Sequence, residues 1–137
     1  MQWHFNLIKL VLCGCLLVNA SAFATVYVIA NKGVSISKAD IKDVFTGEKE
    51  DADGTKLIPY ANSSNSVHSE FLTKFLGMDA SKFKTVWQKK SFRDGKSQPE
   101  LKSDDADVLK AVKSNPGAVG YVSQKPDDSV KIIATAE

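Results

Sequence analysis

Apolar and polar positions along this chain fall into blocks whose period changes several times, and each change marks an element. Leu10 to Ala24 is apolar apart from Asn19 and Ser21. Val26-Tyr27-Val28-Ile29-Ala30 follows as a β-branched and aromatic run ended by Asn31-Lys32-Gly33, which predicts a strand buried on both faces of a covered sheet. Ser37 and Asp40 have the spacing of a capping box, with Ile36 and Ile41 placed as a hydrophobic staple across it. Ile41, Val44 and Phe45 share one face, and Gly47 can end this short helix in the left-handed conformation.

Glu48 to Lys56 is polar and contains Gly54, so it reads as an exposed loop, and Leu57-Ile58-Pro59-Tyr60 reads as a brief strand whose proline suits an edge or an end. Asn62-Ser63-Ser64-Asn65-Ser66 is small and polar throughout. It runs into Val67, Phe71, Leu72, Phe75 and Leu76, an apolar stripe of helical spacing stopped by Gly77. Asp79 or Ser81 can cap a third helix with Phe83, Val86 and Trp87 on one side, followed by an irregular segment from Phe92 to Pro99. Ser103, Asp104 and Asp105 open a fourth, with Val108, Leu109 and Val112 inward and Lys110 and Lys113 late, as the helix dipole favours. Asn115-Pro116-Gly117 breaks it. Ala118 to Val122 and Val130 to Ile133 are two further strands around a turn at Lys125 to Asp128. Strands and helices alternate without an internal repeat or linker, which predicts one α/β domain with a sheet of about four strands flanked on its faces by about four helices.

The first 24 residues read as a targeting segment. Lys9 precedes an apolar run shorter than the roughly 20 residues needed to span a bilayer, and Ala22-Phe23-Ala24 places small residues for cleavage before Thr25. The expected location is the periplasm. The alternative is a lipoprotein cut before Cys15, which would leave the apolar stretch Cys15 to Ala24 on the product. Cleavage after Ala24 would leave residues 25–137 without a cysteine, excluding disulfides, thiolate catalysis and cysteine-metal sites there. Of 18 Lys and Arg, Lys9 falls in the leader, so 17 face 16 Asp and Glu and no long block of one sign occurs. This near-neutral balance gives little support to nucleic-acid or anionic-membrane binding.

Candidate chemistry is sparse. Residues Ser63 to Ser66 are the best candidate site, because backbone N–H groups, hydroxyl donors and the positive end of a helix dipole converge there on the place an anion would occupy. The bland reading is a redundant N-cap. Lys89, Lys90, Arg93 and Lys96 form a basic stretch that reads first as a solvated helix end. His68 is the sole histidine after the leader and reads as a surface residue; Trp87 and Phe83 read as core. The aspartates at 51, 53, 104, 105, 107, 127 and 128 lack the spacing of a calcium loop, and no nucleophile elbow, phosphate-cradling glycine loop or zinc helix is present, so neither a metal, a cofactor nor an enzyme activity is expected.

Several segments resemble the PstS-like phosphate-binding proteins of ABC transporters, in the type 2 periplasmic-binding-protein superfamily. Ile41-Lys42-Asp43-Val44-Phe45-Thr46-Gly47 is similar to a helix end of that family. So are the serine-rich turn before a helix carrying Phe71 and Leu76-Gly77, the following Trp87, and the run from Val112 through Asn115-Pro116-Gly117-Ala118-Val119-Gly120-Tyr121-Val122. The resemblance spans about residues 26 to 133. It implies the fold of one lobe of such a protein, in a short single-lobe form covering residues 25–137. It also implies a non-catalytic substrate-binding component for phosphate or a related oxyanion. The turn here lacks the arginine and glycines that the family's anion-binding turn usually carries, so Ser63, Ser64, Asn65 and Ser66 would supply the donors, with Arg93 as a charge partner. Binding at such an open half-site is expected to be weak. Two other expectations stand beside this one. The chain could be an interaction module that has kept the lobe and lost the ligand, docking onto a periplasmic sensor domain or a transporter, or a homodimer that pairs two lobes around a cleft.

Overall fold

The computed structural model describes residues 25–137, so the leader, its cleavage site and the lipidation alternative lie outside the described residues. Val26–Ala30 forms strand β1, with Val26, Val28 and Ala30 on one face and Tyr27 and Ile29 on the other. The box at Ser37 closes through the Asp40 carboxylate, which accepts the Ser37 N–H at 2.9 Å. A 3₁₀ turn over Lys38–Asp40 leads there into α1, Ile41–Phe45. Gly47 ends this unit with φ of 78°. Its missing side chain matters twice over, because a Cβ there would also lie 2.7 Å from the Trp87 ring.

The segment read as a loop contains a hairpin: β2, Asp51–Ala52, pairs with β3, Thr55–Lys56, around Asp53 and Gly54, both at positive φ. Asp-Gly is the pair such a turn favours. Next come β4, Ile58–Asn62, and α2, Asn65–Phe71, which continues as a π turn through Leu72–Leu76 to the left-handed Gly77. Helix α3, Ala80–Asp94, is capped by Asp79, whose carboxylate accepts the Lys82 N–H at 2.8 Å. It extends three residues into the stretch read as irregular, and Glu100–Lys102 just beyond that stretch forms a short strand, β5. Helix α4, Asp105–Ser114, is followed by β6, Ala118–Val122, and β7, Lys131–Ala136.

The main sheet has the order β5-β4-β6-β1-β7. Strand β4 runs parallel to β5 and β6, whereas β1 is antiparallel to β6 and β7. The expectation of about four strands becomes five, since the polar β5 was not legible as a strand. Pro59 is tolerated inside β4 because β5 pairs only from Tyr60 onward, leaving that flank of Pro59 open.

Two apolar clusters make the domain three-layered. On one face α1, α2 and α3 cover Val28, Ala61, Val119 and Tyr121 through Phe45, Phe71, Leu76 and Trp87. On the other face α4 covers Ile29, Tyr60 and Val122 through Val108 and Val112. Helix α4 lies so near the sheet that a Cβ on Gly120 would sit 2.6 Å from Val108 and 3.2 Å from Val112. No helix among the described residues is long and apolar enough to cross a membrane.

Candidate functional site

Strands β4, β5 and β6 are parallel, so their carboxyl ends gather at one edge of the sheet, the place where open α/β sheets put ligand sites. The serine turn leaves the end of β4 there. Asn62, fully buried, organises it. Its side-chain oxygen accepts the Ser64 N–H at 3.0 Å, while its amide nitrogen donates to Asp105 Oδ1 at 2.8 Å and to the Tyr121 carbonyl at 3.2 Å. Ser63 is tied to the end of β5, donating its N–H to the Lys102 carbonyl at 2.9 Å and its hydroxyl to the Ser103 carbonyl at 3.3 Å.

Those bonds consume the donors of Ser63 and the backbone donor of Ser64. The ones that remain belong to the helix. Ser64 is the N-cap of α2 in an extended conformation, yet no side chain caps the helix, and Asn65 and Ser66 are exposed. The leading N–H groups of α2 therefore stay uncapped beside the hydroxyls of Ser64 and Ser66, and an anion there would meet donors and the positive dipole end.

A second set of donors at the same edge is already filled. The Asp105 carboxylate accepts from the Ser123 N–H at 3.0 Å, the Ser123 hydroxyl at 2.7 Å and the Gln124 N–H at 3.1 Å, besides the Asn62 amide. It thereby locks the ends of β4 and β6 to the start of α4. Asn62 and Asp105 were not singled out as site residues in the sequence; an asparagine at a strand end and an aspartate in a helix's first turn carry no signal that they will meet.

His68 is not a free surface residue. It is half-buried, lies against Phe83, and its Nδ1 is 2.6 Å from the Tyr121 hydroxyl. Burial lowers the pKa of His68 and raises that of Tyr121, so a neutral imidazole and a neutral phenol share this hydrogen bond. Tyr121 stacks in turn on Phe71 with ring centroids 3.8 Å apart. This column fixes the first turns of α2 on the sheet.

The basic stretch is dispersed by the fold. Lys90, expected in solvent, is 6% exposed and pairs with Glu48. Lys96 reaches Glu50 at 3.1 Å and the Gly47 carbonyl at 3.2 Å. Arg93 is held by its neighbour Asp94. These contacts anchor the end of α3 to the loop after α1, near the beginning of β4, whereas the serine turn leaves the end of that strand. The structure thus brings Ser63, Ser64, Asn65 and Ser66 together and does not bring Arg93 to them. Beside that loop lies a groove of about 620 Å³ whose lining includes Val44, Leu57, Pro59, Trp87 and Lys56. No group of three His, Cys, Asp or Glu side chains able to hold a metal occurs among the described residues.

Solved structures share this fold, and two of them are named as phosphate-transport proteins. One is a protein assigned as a phosphate ABC transporter substrate-binding protein, solved with bound phosphate, from Clostridium perfringens. It is 17% identical with a TM-score of 0.60, covering 81% of this chain and 45% of the other. The second, an ABC-type phosphate transport receptor from Vibrio cholerae, is 14% identical with a TM-score of 0.56, covering 81% and 46%. No family model and no curated protein matches the sequence. The chain spans less than half the length of either structure, and at these identities the likeness is one of fold.

Proposed function

We propose that this protein is an exported, non-catalytic binding protein that takes phosphate or a related oxyanion weakly at the start of α2. The observation that carries the reading is a helix that begins at the carboxyl edge of the sheet with no side-chain cap, its leading N–H groups flanked by Ser64 and Ser66. Support of a different kind comes from the fold neighbours, both named as phosphate transport components, one of them with phosphate bound. Among the described residues no Lys or Arg side chain hydrogen-bonds to the turn, and Ser63, Asn65 and Ser66 are exposed, so millimolar rather than micromolar affinity is expected.

Thermal unfolding across phosphate, sulfate and molybdate tests it, because a ligand that prefers the folded state raises the midpoint with concentration. Phosphate is expected to raise it, and Ser64→Ala together with Ser66→Ala to weaken that rise while leaving the ligand-free midpoint nearly unchanged. A midpoint indifferent to every anion at millimolar levels sinks the reading. The rival is an interaction module docking on a periplasmic sensor or transporter, favoured by the donors already occupied at this edge by Asp105.

A further inference from the structure

Helix α3 carries a face that the core does not explain. Phe83, Trp87 and Lys90 turn inward, and with about 100° between successive residues Phe92 points the opposite way. It is 95% exposed, the most exposed of the large apolar side chains among the described residues. Lys82, Lys84, Lys89 and Arg93 are exposed along the same helix, and its one acidic residue, Asp94, pairs with Arg93 at 3.1 Å. Glu48 and Glu50 reach the end of α3, where they pair with Lys90 and Lys96, and no carboxylate pairs with Lys82, Lys84 or Lys89 among the described residues.

An aromatic ring crowning a cationic helix face is a poor match for a protein partner, whose affinity would need an apolar core much larger than one side chain. An anionic bilayer asks for less. Its headgroups neutralise cations without fixed geometry, and its interface accepts a single ring. The hollow beside Phe92 is lined in part by Trp87, Lys84, Gln88 and Ser91, so it offers both apolar and polar surface at the same place. We propose that the outer face of α3 docks on anionic lipid headgroups, with Phe92 entering the interface and Lys82, Lys84 and Lys89 supplying the charge. This surface is separate from the serine turn and does not rest on oxyanion binding.

Co-sedimentation of the full chain with vesicles of phosphatidylglycerol and phosphatidylcholine, against pure phosphatidylcholine, tests it. The apolar run from Leu10 to Ala24 is expected to partition into either vesicle, so the quantity read is the difference between compositions across variants of the same chain. Lys84→Gln combined with Lys89→Gln is expected to weaken binding to the phosphatidylglycerol vesicles by about 25-fold, roughly fivefold per cation. Phe92→Ser should weaken it several-fold, and added salt should weaken the wild type. All three positions are exposed, so an unchanged unfolding midpoint certifies the fold of each variant. Equal binding to both compositions, or undiminished phosphatidylglycerol binding in either variant, overturns the proposal.

Discussion

Asn62 ties together three parts of the chain that are far apart in sequence. Its side chain touches the serine turn, the first residue of α4 and the backbone of β6, all from a position with no solvent contact. A buried donor or acceptor left without its partner costs about 1–3 kcal/mol, and Asn62→Leu strands the Ser64 N–H and removes one donor from Asp105. Urea unfolding of that variant is therefore expected to show a loss of about 2 kcal/mol; a loss below about 0.5 kcal/mol would mean that water substitutes for the amide. In the sequence this residue was visible only as part of a polar turn. The turn's place before a helix could be read from local spacing, but its anchoring depends on Asp105 and Tyr121, 43 and 59 residues away.

Elements were legible in proportion to how local their determinants are. The capping box at Ser37, the stop at Gly47 and the β-branched run of β1 each act within a few residues, and each formed. The Asp53-Gly54 turn was read only as part of an exposed loop, because strands of two residues carry no alternation that would mark a hairpin. Strand β5 had no signal at all: Glu100-Leu101-Lys102 is a strand because β4 offers it a parallel partner. Gly120 exposes the opposite dependence, an element whose packing is set by an absent side chain. Gly120→Ala pushes a methyl into Val108 and is expected to cost roughly 1–3 kcal/mol by overpacking. Val108→Ala should recover part of that loss in the double variant, and strictly additive losses in the cycle would show that α4 does not rest on Gly120.

The molecule as a whole should respond to acid in two stages. His68 has its pKa lowered by burial below the ordinary 6.5, so between those values the unfolded chain binds the proton more readily than the folded one. Stability is then full above about pH 6.5 and falls as pH drops through the lowered value. Asp40, Glu48, Asp94, Asp107 and Asp127 have pKa values lowered mainly by hydrogen bonds, so their contributions are lost separately, below the ordinary carboxylate range near 4. Denaturation midpoints between pH 7 and 5 are expected to slope in the wild type and to lie flat in His68→Gln; an equal slope in both would remove His68 from the account. None of this was readable at the sequence level, where a lone histidine reads as a surface residue until Tyr121 and Phe83 are seen around it. The strand pairing has one more consequence. Val26 at the start of β1 lies opposite Ala136 at the end of β7, neighbours across an antiparallel ladder. A force applied to those two strands would open the ladder one rung at a time like a zipper instead of shearing all its bonds at once. The domain is thus mechanically soft at the corner where the chain enters and leaves it, and a host sequence could carry it there as an insertion with little change in its own path.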